Sequence, residues 1–229
     1  MIRLGVLTGM RGEARFLRRA ADHHASLITI GMSGADPERA RAEARRLADK
    51  HPTLLVSFGF AGGLDPALPP GALVCPGRYH LDDGTVQPLD PLWRRRLVAA
   101  LPQAHDGTIA AVNAAVTTCA GKRALAEQGC HIADMETAAL AEVATERGLP
   151  LIVLRAVCDP AHRPVPAAAL ALLAPGGGLR WKVLPGVLPD LPAMARLGMD
   201  SARAGRRLGT AADALCRAVN LAEDAPQSA

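Results

Sequence analysis

Short apolar runs alternate with alanine-rich stretches of helical spacing along most of the chain. The apolar runs predict β-strands near residues 2–8, 26–31, 53–58, 72–75, 108–112, 131–135 and 151–157. The stretches of helical spacing predict helices near residues 11–22, 36–50, 90–101, 120–128, 136–147 and 190–221. Because strands alternate with helices, we expect an α/β fold in which a mixed, mostly parallel central sheet carries helices on both faces.

The composition predicts one domain and argues against a nucleic-acid partner. A chain of 229 residues with 49% hydrophobic content can bury one large core, so we expect residues 1–229 to form a single domain. The net charge of +4 invites a nucleic-acid hypothesis, yet only 3% of the residues are aromatic, and platforms for stacking bases are scarce. Most arginines lie at helical spacing, as on a solvated helix face. We therefore expect no binding to nucleic acid.

The cysteine pattern points away from disulfides and from a metal site. The five cysteines form no C-x-x-C pair and have no histidines at zinc-ligand spacing, and their apolar settings predict reduced thiols. The opening sequence MIRLGVLTG lacks the leader of a signal peptide, and no run of about 18 apolar residues is present. We expect a cytoplasmic protein that binds no metal and no cofactor.

A carboxylate follows the predicted strand at 131–135. The segment Asp134-Met135-Glu136 lies where a helix of small residues begins. A carboxylate in this position can accept hydrogen bonds from paired sugar hydroxyls. The simpler interpretation is a glutamate at a helix N-terminus, where negative charge is favoured by about 0.3–1 kcal/mol.

Two other predicted strands also end in candidate site residues. Residues 57–64 (SFGFAGGL) close an apolar run with a glycine-rich turn, and glycine lets the backbone approach a ligand. Residues 151–159 (LIVLRAVCD) are typical of a strand buried on both faces, and they end in Asp159. Burial raises the pKa of a carboxyl group, and a general acid needs a pKa near the operating pH. The alternatives are an ordinary turn and an aspartate that caps the next turn beside Pro160.

Taken in order along the chain, these segments resemble the nucleoside phosphorylase and nucleosidase superfamily. Residues 57–64 are similar to its G-x-A-G-G-L stretch, and residues 155–159 (RAVCD) are similar to its R-A-I-S-D stretch. Residues 77–80 (GRYH) and 9–13 (GMRGE) are similar to the A-R-Y-H and G-A-M-x-x-E stretches of its nucleosidases. The resemblance extends over nearly the whole chain and implies the nucleoside phosphorylase-like fold.

The resemblance implies a role for each matching carboxylate. Glu136, with Met135 beside it, matches the glutamate that binds the ribose 2′- and 3′-hydroxyls. Asp159 matches the aspartate that gives a proton to purine N7, and a neutral base leaves far more easily than its anion. Glu13 matches the glutamate that positions and activates the attacking water. Together these matches imply hydrolysis of a purine N-glycosidic bond.

The same resemblance implies which residues contact the base. Val116 aligns with a position that gives backbone hydrogen bonds to the purine, and Ala115 stands where nucleosidases have a stacking phenylalanine. Phe60 replaces the serine or threonine often found in the glycine-rich turn, so it is a candidate aromatic face. Gly62 belongs to the stretch that passes beside base and sugar.

Two departures from the family pattern affect the expected reaction. Ser57 stands where phosphorylases of this fold offer an arginine to phosphate, which favours hydrolysis, although Arg11, Arg15 and Ser33-Gly34 could still meet an anion. Cys158 replaces the serine that usually precedes the aspartate, and this change bears on the orientation of Asp159.

The region after Asp159 is similar to the hopanoid-associated branch of the superfamily. The similarity rests on residues 159–166 (DPAHRPVP), 178–180 (GLR) and 191–197 (LPAMARL). It implies release of adenine from adenosylhopane, giving ribosylhopane, in hopanoid biosynthesis. The branch-specific segment at about 164–199 is apolar, as a lipid nucleoside requires, because burying apolar surface is worth about 25 cal/mol per Å².

Within this segment, Trp181 lies between Arg180 and Lys182, a pattern typical of an interfacial anchor. It predicts peripheral contact with the inner face of the membrane. The alternative is that the apolar residues only close the core or a subunit contact. Members of the family assemble as dimers or higher oligomers, so the resemblance also implies a homo-oligomer.

Three other functions fit parts of the pattern. A methylthioadenosine/adenosylhomocysteine nucleosidase has the same chemistry and needs a small thioether pocket. A phosphate-dependent purine nucleoside phosphorylase needs an anion site. A nucleoside- or lipid-binding module without activity would have little reason to keep Glu13, Glu136 and Asp159 together.

Overall fold

The computed structural model of the protein describes residues 2–23, 27–174, 178–179 and 190–223. Trp181 and its flanking Arg180 and Lys182 lie outside these residues, so the interfacial anchor stays a prediction. Within the described ranges, no helix has both the length and the apolar character that crossing a membrane requires.

A mixed sheet forms the centre of the described structure. Its strands are β1 (Arg3–Thr8), β2 (Leu27–Met32), β3 (Leu54–Gly63), β4 (Leu73–Val74), β5 (Arg78–Leu81), β6 (Val86–Pro88), β7 (Thr108–Ala111), β8 (Ile132–Asp134) and β9 (Leu151–Asp159). They are hydrogen-bonded in the order β2-β1-β3-β8-β7-β5-β6, and β9 pairs with both β3 and β4. Most neighbouring strands run parallel, which confirms the predicted sheet. A separate short hairpin joins β10 (Leu173–Ala174) to β11 (Gly178–Leu179).

Helices cover both faces of the sheet, as the sequence predicts. They are α1 (Arg11–His23), α2 (Pro37–Ala48), α3 (Pro91–Ala100), α4 (Cys119–Glu127), α5 (Thr137–Arg147), α6 (Ala167–Leu172) and α7 (Leu191–Glu223). Side chains of α1, α3 and α7 belong to one apolar layer, and those of α2 and α5 belong to the other.

Local sequence explains where several helices begin. Asp36 and Asp90 each precede a proline at the first helical position, and their side chains accept hydrogen bonds from backbone N–H groups of the first turn. Thr118 accepts a hydrogen bond from Gly121 N in the same way at the start of α4. These caps satisfy donors that have no partner inside the helix.

The central strands supply side chains to both apolar layers. In β3, Leu54 and Val56 belong to the layer with α1, α3 and α7, whereas Leu55 belongs to the layer with α2 and α5. Successive side chains of a strand point to opposite faces. A continuous apolar run is therefore what a strand covered on both faces requires.

Strand β3 is longer than the predicted strand at 53–58, because the glycine-rich stretch continues it to Gly63. This extension pairs with β9, and the register shifts between Ala61 and Gly62. The shift places Gly62 beside Asp159, since an irregularity of this kind redirects the strand locally. The glycine-rich segment and the end of β9 thus meet at one edge of the sheet.

The hairpin formed by β5 and β6 and the short helix α6 are elements that the sequence pattern did not predict. The hairpin is brief, and α6 lies in the apolar run of residues 167–174 (AAALALLA), which the sequence analysis interpreted only as part of the branch-specific segment. The long carboxyl-terminal helix was predicted at 190–221, and this prediction is confirmed within two residues at each end.

Helix α7 packs on the sheet through small and branched apolar residues. Ala204, Leu208, Ala211 and Leu215 are fully buried in the layer that also holds α1 and α3. Their spacing of three and four residues forms one face of the helix. Met199, at 66% relative exposure, points away from this core.

We expect Leu208→Ala to lower the free energy of unfolding by about 2–5 kcal/mol, because it removes buried methyl groups and leaves a cavity. The matched variant Met199→Ala should change it by less than about 0.5 kcal/mol, since that side chain is exposed. Urea denaturation followed by circular dichroism measures both. Equal effects of the two substitutions would contradict the packing of α7.

Candidate active site

A cavity of about 190 Å³ opens where β1, β3, β8 and β9 end. Every residue that the sequence singled out for catalysis or substrate binding lies around it. These residues are Glu13, Phe60, Gly62, Val116, Met135, Glu136 and Asp159. They are brought together because the carboxyl ends of parallel strands meet at one edge of the sheet, where α/β proteins form their ligand sites.

The fold explains how residues from distant parts of the chain reach this edge. Glu13 lies in the first turn of α1, directly after β1, and Glu136 lies between β8 and α5. Asp159 is the last residue of β9. Val116 comes from the loop between β7 and α4, and it borders an apolar part of the wall.

The guanidinium of Arg155 forms the ionic centre behind the cavity. It is buried at 1% side-chain exposure, and it forms ion pairs with Asp134 and with Glu136 at 3.2 Å. It also donates to Ser57 Oγ at 2.5 Å and to Phe60 O at 3.1 Å. A buried charge is stable only with such partners, so these contacts hold β3, β8 and β9 in one arrangement.

Glu136 faces the site and does not cap the helix that follows it. Its Oε1 accepts a hydrogen bond from Ser33 Oγ at 2.6 Å, and its Oε2 accepts one from Arg155. The backbone N–H of Thr137 donates to Asp134 Oδ1 instead, so Asp134 performs the capping. Burial raises the pKa of Glu136 above its ordinary value, although the charge of Arg155 opposes this effect. The simple helix-terminus interpretation therefore fits Asp134 and not Glu136.

Glu13 is held by two backbone donors, one in the loop after β1 and one in β3. Its Oε2 accepts a hydrogen bond from Met10 N at 2.7 Å, and its Oε1 accepts one from Phe60 N at 2.8 Å. Burial, reinforced by the charge of Glu136, raises the pKa of Glu13 to about 7. The carboxyl group can therefore gain and lose a proton near neutral pH.

Gly59 makes the position of Glu13 possible. Its φ of +152° is unusual for a residue with a side chain, and a Cβ there would lie 2.6 Å from Glu13 Oε1. The same Cβ would lie 2.8 Å from a nitrogen of Arg155. Only glycine lets the backbone of β3 approach both charged groups so closely.

Asp159 belongs to a second ionic group on the cavity wall. Its Oδ2 lies 2.5 Å from Lys122 Nζ, and its Oδ1 accepts a hydrogen bond from Cys158 Sγ at 3.1 Å. Burial raises the pKa of the Cys158 thiol well above its ordinary value, so the thiol keeps its proton and acts as a donor. The side chain is thus directed by Lys122 and Cys158, and the turn-capping alternative does not describe it.

Sequence reasoning missed the contacts that Lys122, Ser33 and Arg155 make with the candidate carboxylates. A lysine in a polar helix is expected to face solvent, and nothing in its spacing separates Lys122 from its neighbours. Ser57 was interpreted only as the absence of a phosphate-binding arginine, yet it is fully buried and bonded to Arg155 beneath the cavity. Among the residues in the described ranges, no three histidines, cysteines or carboxylates are placed to share a metal ion.

Fold and site together define a single α/β domain with a carboxylate-lined cavity at the edge of its sheet. The sequence model of the phosphorylase superfamily matches residues 8–171, and the chain belongs to this superfamily. A comparison with curated protein sequences gives no match.

Solved structures of several nucleosidases share this fold. The MTA/SAH nucleosidase of Streptococcus pneumoniae, in complex with 8-aminoadenine, superposes with a TM-score of 0.74 at 18% identity, over 95% of this chain and 100% of that one. The 5′-methylthioadenosine/S-adenosylhomocysteine nucleosidase of Neisseria meningitidis gives 0.69 at 15% identity, over 93% and 99%. The futalosine hydrolase of Helicobacter pylori gives 0.69 at 15% identity, over 93% and 97%.

We expect the free energy of unfolding to decrease as the pH rises through about 7, because a stabilising contribution of Glu13 is lost. Its carboxyl group binds a proton more tightly in the folded protein, where its pKa is about 7, than in the unfolded chain, where it is 4.5. Its stabilising contribution is therefore complete below pH 4.5 and is lost as the pH rises through 7, a change of about 3 kcal/mol.

Urea denaturation of the wild type and of Glu13→Gln at a series of pH values isolates this contribution. The free energy of unfolding of the wild type minus that of Glu13→Gln should decrease as the pH rises from 4.5 to about 7. Glu38→Gln, which changes an exposed glutamate in the first turn of α2, is the matched control and should give a constant difference. A constant difference for Glu13→Gln would contradict the raised pKa.

Proposed function

We propose that the protein hydrolyses the N-glycosidic bond of a purine nucleoside, and that its substrate is adenosylhopane, which yields adenine and ribosylhopane. The observation that carries the proposal is the convergence of Glu13, Glu136 and Asp159 on one cavity, each in a different ionic setting. A site that places neighbouring carboxyl groups in different ionic environments is suited to acid–base chemistry.

Glu136 fixes the ribose in the proposed reaction. Ser33 and Arg155 hold its two carboxylate oxygens, so its orientation is set before a substrate arrives. A carboxylate that is already oriented can accept hydrogen bonds from the 2′- and 3′-hydroxyls, and substrate binding does not have to supply the free energy of orienting it. Met135 lies beside the sugar and forms part of the apolar wall.

Asp159 and Glu13 act on the bond that breaks. Asp159, which is ion-paired with Lys122, first takes up a proton from solvent and transfers it to N7 of the base. The C1′–N bond then breaks, and positive charge develops on the sugar ring. Glu13 orients a water molecule toward C1′ and takes its proton, so that the hydroxide is added to the sugar and the base leaves neutral. A pKa of about 7 suits Glu13 to this task at neutral pH.

The ionic contacts favour water over phosphate as the nucleophile. Among the described residues that line the cavity, Lys122 is the cation, and its ammonium is bound to Asp159. Arg155 lies behind the cavity with its charge balanced by Asp134 and Glu136. Binding phosphate would require a cation that is not already paired in this way.

A second cavity supports a substrate larger than a simple nucleoside. It has a volume of about 440 Å³, shares Asp159 with the first cavity, and lies between residues 160–167 and the start of α7. Pro164, Ala193 and Leu197 form an apolar part of its wall, and charged side chains form another part, among them Arg163, Asp190, Arg196 and Asp200. This wall belongs to the segment 164–199, which we propose receives the hopane tail, with Trp181 at the membrane surface and a second copy of the chain completing the assembly.

Methylthioadenosine and adenosylhomocysteine are the second candidate substrates. The solved structures from S. pneumoniae and N. meningitidis share the fold of this chain and are named for cleavage of these compounds. The proposed chemistry at Glu13, Glu136 and Asp159 would be unchanged. The difference lies in the group attached to the 5′ carbon of the ribose.

The decisive experiment measures adenine release from adenosylhopane and from methylthioadenosine, side by side, in phosphate-free buffer. Faster release from adenosylhopane supports the lipid substrate. Release from methylthioadenosine alone would retain the reaction and reject that substrate. Release that requires added phosphate would identify a phosphorylase.

We expect Asp159→Asn to lower kcat by about 10²–10⁴-fold, because the amide cannot supply the proton that the leaving base needs. The control Asp83→Asn changes an exposed aspartate and should leave kcat unchanged. Steady-state release of adenine, followed by absorbance, measures both variants. A near-normal rate for Asp159→Asn would refute its role as the acid.

We expect Glu13→Gln to lower kcat by about 10²–10⁴-fold, since the attacking water loses the group that accepts its proton. Glu38→Gln again serves as the control with normal turnover. Added phosphate should not restore the activity of Glu13→Gln. Restoration by phosphate would show that phosphate, and not water, is the nucleophile.

A further inference from the structure

Lys122 is buried although the other residues of its helix are exposed or half-buried. Its side chain is 1% exposed, and it is the buried residue of α4, whereas the neighbouring Arg123 is exposed. Moving an ammonium group out of water is costly unless it is fully paired. The contacts that compensate this cost therefore indicate what the lysine does.

The three donors of the Lys122 ammonium have three acceptors. One is Asp159 Oδ2 at 2.5 Å, and the others are the backbone carbonyls of Pro160 at 2.8 Å and Arg163 at 2.9 Å. A lysine ammonium has no further hydrogen to donate. Lys122 thus fixes both the carboxylate at the end of β9 and the loop that follows it.

The same loop forms a wall of the second cavity. Pro160 and Arg163 line that cavity together with Asp159, and Arg163 forms an ion pair with Asp200 of α7. A continuous set of contacts therefore runs from α7 through the loop to Lys122. Asp159 lies at its end, on the boundary between the two cavities.

Charge balance at Asp159 depends on Lys122. The other cavity-lining carboxylates, Glu13, Asp134 and Glu136, surround Arg155 in a separate group. The thiol of Cys158 donates a hydrogen bond to Asp159 Oδ1, but the thiol carries no positive charge. Loss of the ammonium would leave Asp159 oriented by one neutral donor.

We propose that Lys122 is a positioning residue that holds Asp159 in register with the leaving base and links it to the loop 160–163 beside the second cavity. The proposal rests on the function proposed above, in which Asp159 is the acid.

Lys122→Met tests the proposal, because methionine keeps an unbranched stem and removes the ammonium. We expect kcat for adenine release to fall by about 100-fold, since a misplaced catalytic group loses roughly that factor. KM should stay within about threefold, because binding of the sugar does not involve Lys122. Arg123→Met removes a neighbouring exposed charge and should leave both parameters unchanged.

A double-mutant cycle separates positioning from a general effect on folding. In the Asp159→Asn background, Lys122→Met should cause no further loss of kcat, because the residue through which Lys122 acts is already disabled. Independent, multiplicative losses would overturn the proposal. Lys122→Arg keeps the charge with a different shape, should recover part of the activity, and serves as the folded variant should Lys122→Met be unstable.

Crystal structures of the wild type and of the Lys122 variants make the test independent of turnover. The proposal expects the Asp159 carboxylate and the loop 160–163 to shift when the ammonium is removed. An Asp159 side chain and loop that keep their positions would overturn it. A wild-type protein that releases no base from any purine nucleoside would reject the proposed function, and the structures alone would then decide whether Lys122 positions Asp159.

Discussion

The buried charge of Arg155 is the constraint on which the site depends. A guanidinium inside the sheet needs carboxylates and hydroxyls around it, and β3, β8 and the start of α5 provide them through Ser57, Asp134 and Glu136. The contact of Arg155 with Ser57 joins residues 98 positions apart in the chain, whereas its contact with Glu136 spans 19. The orientation of the Glu136 carboxylate is thereby a consequence of how the core pairs one buried charge.

A single arginine among three carboxyl groups also explains the protonation behaviour of the site. Asp134 and Glu136 pair directly with Arg155, and Glu13, which forms no ion pair with any described residue, lies next to them. Burial and the charge of Glu136 then raise the pKa of Glu13 to about 7. Asp159 is paired with a different cation, Lys122, so separate ion pairs hold the two ends of the site.

Much of the fold and the set of residues around the cavity were predictable from the sequence. The alternation of apolar runs and helical stretches predicted the layers, and the motifs ended in Glu136 and Asp159 at the carboxyl ends of strands. The partners were not predictable. The contacts of Lys122 with Asp159 and of Ser33 with Glu136 span 37 and 103 residues, and a pair so far apart leaves no periodic signal.

The sequence by itself determined the order of strands and helices, the helix caps and which carboxylates follow buried strands, because these depend on neighbouring residues and on the period of apolar positions. Tertiary structure alone decided the shift in register that sets Gly62 beside Asp159, the burial of Lys122 and the raised pKa of Glu13. Each of these depends on distances and on exclusion of water between segments remote in the chain. These distances and this exclusion of water are set only when the strands have assembled around Arg155.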